Sequence, residues 1–164
     1  MNTLLALAAA ALAPTLLVVL WYLYGQFEVF AADDPYIWIR TTGFLWLCLT
    51  IAALHVVVLG GPAYALLKWK GLIRWWSTVI TGFVLASLPV ALITWPLRFP
   101  ELKTTASFNG IQTMIDGTPT AEGWTQYTQG VLFFGLCGAL SGFVFCLVWR
   151  RGRKQHFHSQ HNDA

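Results

Sequence analysis

The side chains able to do chemistry in this chain are few, and they do not cluster. Of the four histidines, only His55 lies within a long uncharged stretch. An ionisable group at such a position is a functional candidate, because leaving it unpaired in an apolar medium is costly. A neutral imidazole can also serve as a hydrogen bond between helices, and that structural role is the expected one. Together with Thr50, Thr81, Ser87 and Ser141, His55 could line a polar path for a small transporter or channel subunit. Haem ligation would need a second imidazole at similar depth, and no other apolar stretch holds one. The remaining histidines, His156, His158 and His161, fall in a terminal basic segment. Three imidazoles at this spacing could bind zinc or copper and would make the chain a metal-handling protein. With no thiol or carboxylate at matching spacing except Asp163, a solvated basic tail is the better reading, and no cofactor is expected.

Asp33 and Asp34 could hold a cation, but helix capping and loop charge account for both. Cys48, Cys137 and Cys146 lie in apolar stretches, where cysteine behaves as a small buried apolar residue. Paired cysteines in loops, the mark of an oxidising-compartment framework, do not occur. The HExxH, GxSxG and phosphate-loop patterns are also missing, as is any carboxylate inside an apolar stretch. The expectation is a non-enzymatic protein.

Small residues form the other notable pattern. Gly135, Gly138, Ala139, Ser141 and Gly142 lie close together, with a GxxxG match at Gly138 and Gly142 and Cys146 four residues on. Small side chains let helix backbones approach closely in lipid, within one bundle or between two proteins. Gly82 and Ala86 form a weaker counterpart.

The elements that must carry these residues follow from charge. Residues 1–27, 41–67, 75–97 and 123–149 contain no Asp, Glu, Lys or Arg. Each stretch is long enough to cross a bilayer, which takes about 20 helical residues. The 164-residue chain is 57% hydrophobic and only 10% charged, whereas soluble domains carry roughly 25% charged residues. These features predict an all-α integral membrane protein with spans at about 4–24, 35–60, 76–95 and 130–149. The first is read as an uncleaved span, since a signal-peptide core is typically only about 7–15 residues.

Orientation comes from the sorting of charge. The 68–74 connector and the segment after 149 hold seven of the ten basic residues and one acid, Asp163. Loops 28–40 and 98–122 hold Arg40, Arg98 and Lys103 against six acids. The positive-inside rule then puts both termini and the connector in the cytoplasm. Residues 1–149 form a four-helix membrane domain, and 150–164 form a basic, histidine-containing cytoplasmic tail. Basic residues that flank spans are orientation signals, so no nucleic-acid partner is expected.

Local signals refine this plan. Asp34 can cap the second span with Pro35 at its first position. Gly60-Gly61-Pro62 should break or bend that helix, and the basic, aromatic segment Lys68–Trp76 should lie on the membrane surface. In the 97–129 outer loop, Asn109-Gly110 signals a hairpin between Thr104–Phe108 and Ile111–Ile115. Asp116-Gly117 marks a second turn, and Thr118-Pro119 reads as a helix start that would carry the last span outward.

The runs Leu59-Gly-Gly-Pro-Ala-Tyr64, Gly71-Leu-Ile-Arg-Trp-Trp76, Asp116-Gly-Thr-Pro-Thr120 and Gly123-Trp124 resemble small four-span inner-membrane proteins of proteobacteria. The resemblance runs from about residue 55 onward and implies a multi-pass protein of the bacterial inner membrane, with no activity attached. A looser similarity, in size and span count alone, is to the four-span immunity proteins that block pore-forming toxins. The expected function is therefore binding of another membrane protein, or of a second copy, as an accessory subunit or immunity-type factor. The outer loop and the small-residue helix faces are the candidate surfaces.

Overall fold

The computed structural model describes residues 3–97, 104–108 and 110–162, those from 152 onward by backbone alone. Five α-helices appear among the described residues: α1 (Thr3–Val29), α2 (Tyr36–His55), α3 (Gly61–Trp69), α4 (Trp75–Ile93) and α5 (Ala121–Asn162). Three short strands, β1 (Ala106–Phe108), β2 (Ile111–Ile115) and β3 (Thr118–Pro119), lie between α4 and α5. Four helical segments are long and apolar enough to cross a membrane: Thr3–Val29, Tyr36–Trp69, Trp75–Ile93 and Ala121–Arg151.

The second segment does not stop at Gly60-Gly61-Pro62. Val56–Gly60 forms a single π-helical turn, closed by the Gly61 amide donating to the Val56 carbonyl, and it joins α2 to α3. Pro62 has no amide, and in a regular helix its ring would collide with the carbonyl four residues back. Widening the turn just before the proline relieves that collision while the helix continues.

Helix starts and stops have local causes. The Asp34 carboxylate accepts the Tyr36 amide at 2.9 Å, and the Asp34 carbonyl accepts that of Ile37 at 3.2 Å. This is the cap that Asp34-Pro35 predicts. α1 runs past Tyr24 to Val29, because nothing between them removes an amide or forces a left-handed residue. α5 also exceeds its expected bounds. It begins at Ala121 and continues through Arg150 to Asn162, in a tail whose Arg, Lys and Gln residues favour helix.

The chain packs as two compact units, one made of residues up to Gly82 and from Ala139, the other of Phe83–Gly138. Both α4 and α5 contribute to each. In the first unit α1 and α2 are neighbours. Tyr22 stacks on Phe44 at 4.3 Å, Phe27 meets Trp38 edge-on at 6.3 Å, and the Arg40 guanidinium lies 4.5 Å from the centre of the Phe30 ring. A small core joins Ala6 and Ala10 of α1 to Phe145 of α5, flanked by Leu7, Tyr64, Val148 and Trp149. The buried positions of α1 are Ala6, Ala10, Pro14, Thr15 and Val19, a stripe of mostly small residues.

Large apolar side chains cover the outside of the helices, among them Leu4, Leu20, Trp21, Leu54, Val57, Leu92 and Leu136. A surface with many large apolar side chains exposed on every long helix is unlike that of a soluble monomer, which rarely shows large contiguous apolar patches. It suits the hydrocarbon of a bilayer.

Candidate interaction surface

The second unit carries the described structure outside the four apolar segments that is richest in specific contacts. β1 and β2 pair antiparallel across the Gly110 turn, with Phe108 opposite Ile111. Gly110 adopts φ +79°, as an Asn-Gly turn requires. Asn109 itself lies outside the described residues. Asp116 and Gly117 both take positive φ, +48° and +79°, which is the two-residue turn that matches strand twist. That turn leads to a third strand, not to a helix start. Ile115 pairs with Thr118 and Met114 with Pro119 in the order β1-β2-β3. Pro119 lies on the edge strand, where its missing amide costs no ladder bond.

Thr120 joins this sheet to α5. Its hydroxyl donates to the Gln112 carbonyl at 2.8 Å and accepts the Gly123 amide at 3.2 Å. The cap of α5 is therefore Thr120, two residues beyond the expected Thr118. One turn into the helix, Gly123 lies so close to the Thr113 carbonyl that a Cβ there would overlap it. The same added Cβ would lie 3.6 Å from Pro119 Cβ. The sheet thus rests on α5 at Thr113 and Pro119.

The hairpin tip is open. Phe108 and Ile111 are partners across the strands on either side of the Gly110 turn, and a bulge further along the pair breaks the strict alternation before Ile115. The exposures of Phe108, Ile111 and Ile115 are 58%, 55% and 44%. Cross-strand partners share a face, so Phe108 and Ile111 form one exposed apolar pair, with Ile115 exposed separately beyond the bulge.

An aromatic cluster lies where α4 ends and α5 begins. Trp95, Trp124 and Tyr127 meet pairwise edge-on at centroid distances of 5.5, 5.6 and 5.8 Å. The Tyr127 hydroxyl donates to the Ala91 carbonyl at 3.1 Å. That carbonyl belongs to the last turn of α4, where helix acceptors lose their intrahelical donors.

The glycines singled out from sequence face inward. A Cβ on Gly142 would overlap the Thr78 carbonyl, and one on Gly135 would come within 2.5 Å of the Phe83 ring. Gly138 is buried and Gly82 half-buried. The small-residue face of α5 is therefore covered by α4 of the same chain at Gly135 and Gly142. The tightest stripe of α1, Ala6-xxx-Ala10-xxx-Pro14, escaped sequence reasoning although its four-residue spacing is legible.

The candidate polar path does not assemble around Thr50. Its hydroxyl donates to the Trp46 carbonyl at 2.8 Å on an exposed face of α2. Ser87 is buried and donates to the Val84 carbonyl at 3.4 Å. His55 and Ser141 are half-buried, each with a polar or ring contact, and His55 immediately precedes the π-helical turn. Among the described residues no three His, Cys, Asp or Glu side chains come together. The side chains of His156, His158 and His161 lie outside the described residues, as do Arg98, Glu101, Lys103 and Asp163.

No family model matches this chain, and neither a curated protein nor a solved structure shows significant similarity to it.

Proposed function

We propose that this chain is a multi-pass protein of the bacterial inner membrane that works by binding another protein, without catalysis. The observation that carries the reading is the exposed apolar pair Phe108 and Ile111 at the hairpin tip, with Ile115 exposed further along the same strand. It lies between two apolar helices, in a segment that also contains Thr104, Ser107, Gln112, Asp116 and Glu122 and so belongs in water. α5 anchors this sheet through Thr120 and Gly123. Exposed aromatic and aliphatic side chains are what a protein interface buries at its centre. The GxxxG face is occupied within the chain, so it leaves the sheet as the leading surface.

Sorted charge supports the orientation. The basic 68–74 connector and the tail face the cytoplasm and the sheet faces the opposite side. An accessory subunit or an immunity-type factor would both use the sheet from that side. Purification from native membranes in mild detergent tests this. The wild-type chain should retain a stoichiometric partner, and Ile111→Lys should lose it while remaining folded. A lone wild-type monomer, or equal retention by Ile111→Lys, would overturn the proposal.

One observation favours a second reading. His55 adjoins a π-helical turn, a distortion often found at functional sites. A small transporter using His55 would show solute or proton flux in liposomes that His55→Ala abolishes. Background flux in both proteins would remove this reading.

A further inference from the structure

The turn between α3 and α4 is basic, aromatic and held by more local bonds than a flexible linker needs. Gly71 ends α3 at φ +66°, with the Leu72 amide donating to the Leu67 carbonyl at 2.9 Å and the Gly71 amide to that of Lys68 at 3.1 Å. This is a left-handed helix cap that glycine alone adopts without strain. Six residues after Gly71, Ser77 reaches back. Its Oγ accepts the Arg74 amide at 3.1 Å and donates to the Leu72 and Arg74 carbonyls. Ser77 is the third residue of α4, and its hydroxyl satisfies the amide at the helix start, the half of a capping box that reaches back.

Lys68, Lys70 and Arg74 are all exposed on this braced turn, as are Trp69 at 82% and Trp75 at 58%. No acidic residue occurs between Asp34 and Glu101 in the sequence, so the turn brings no carboxylate of its own to offset the three cations. The start of α4 adds the positive end of a 19-residue helix dipole to the same turn. Depth follows from length. The 34 residues from Tyr36 to Trp69 make a helix of about 51 Å at ~1.5 Å per residue. A whole bilayer with its headgroups measures about 40–45 Å. With Tyr36 and Trp38 at one interface, a helix of this length tilted within the range usual for membrane spans brings the Lys68–Trp76 turn to the headgroup level of the other.

We propose that the Lys68–Trp76 turn is a preorganised site for the phosphate headgroup of an anionic phospholipid. Lys68, Lys70 and Arg74 neutralise the phosphodiester, and Trp69 and Trp75 seat their rings at the glycerol level beside it, as interfacial tryptophans do. The Gly71 and Ser77 caps hold the cations at fixed spacing. The site rests on the chain being membrane-inserted and is independent of what the sheet binds.

The test is native mass spectrometry of the full chain released from mixed micelles of phosphatidylglycerol and phosphatidylcholine, scoring the ratio of the two lipids retained. Wild type should be enriched in phosphatidylglycerol, and excess inorganic phosphate should not displace it. Each cation changed to Gln should lower the enrichment about fivefold. Gly71→Val and Ser77→Ala keep every charge and loosen the turn, so both should lose most of the enrichment. Circular dichroism must show wild-type helicity for any variant scored. Ile111→Lys should retain the lipid in full, which separates failure here from failure of the protein-binding proposal. No enrichment in wild type, displacement by free phosphate, or full enrichment in folded Gly71→Val and Ser77→Ala would each overturn the site.

Discussion

Gly142 sits against the Thr78 carbonyl so closely that even a methyl group has no room between them. The contact is backbone to backbone, and a carbonyl cannot rotate away as a side-chain tip can. In lipid, where burying apolar surface drives little association between helices, close contacts of this kind hold helices together. Gly142→Ala should therefore destabilise the fold by about 1–3 kcal/mol, the range for overpacking. Thermal unfolding in detergent should show the loss. An unchanged midpoint would mean that α4 and α5 do not meet there.

Gly135 tests the same principle with a softer neighbour. Its added Cβ would meet the ring of Phe83, which is a side chain. Gly135→Ala should cost less than Gly142→Ala, and Phe83→Leu should recover much of the loss when combined with it. A double-mutant cycle measures this coupling, expected within the ~0.5–3 kcal/mol range for residues in contact. Strict additivity would contradict the contact.

The Tyr127 hydroxyl serves a carbonyl that the end of α4 leaves without a helical donor. Tyr127→Phe keeps the ring contacts with Trp95 and Trp124 and should cost about 1 kcal/mol, the net worth of one hydrogen bond. Tyr127→Ala should cost more, since aromatic pairs add ~0.5–1.5 kcal/mol each. Near-ultraviolet circular dichroism reports the cluster: its signal should survive in Tyr127→Phe and fall in Tyr127→Ala. Equal signals in both would argue that the cluster is not ordered.

Thr120 holds the sheet to the helix by one hydroxyl that both donates and accepts. Thr120→Val removes both bonds with little change of shape, and loss of a helix cap alone costs about 1 kcal/mol. Limited proteolysis between residues 104 and 120 should accelerate, while the unfolding midpoint of the helices stays near wild type. Thr120→Ser should restore protection. If Thr120→Val is as resistant as wild type, the hydroxyl does not anchor the sheet.

These residues also show what the sequence makes legible. Charge-free runs mark the four apolar helices because a helix long and apolar enough to cross a bilayer reads in the sequence as an uninterrupted uncharged stretch. Asp34-Pro35, Asn109-Gly110 and Asp116-Gly117 are readable because each dipeptide satisfies a specific backbone geometry. Thr118-Pro119 misleads because a threonine before proline suits a helix start and an edge strand equally. Which one forms depends on pairing with Met114 and Ile115, a tertiary fact. Pro62 misleads in a related way, since its steric demand can end a helix or be absorbed by a π-helical turn. The inward role of Gly135 and Gly142 needed the neighbouring helix, because a GxxxG spacing says how close two backbones come and not whose they are. The pair Phe108 and Ile111 became a candidate only when the register set them opposite each other at the exposed hairpin tip.

Site-specific photocrosslinking in native membranes tests the sheet most directly. A photoreactive residue at 111 reports the Phe108–Ile111 face, and one at 112, its neighbour in the strand, reports the opposite face. The expected result is a discrete protein adduct from position 111, reproduced from 108 and absent from 112. Lipid adducts alone from 111, or the same protein adduct from 111 and 112, would contradict a partner bound on this face.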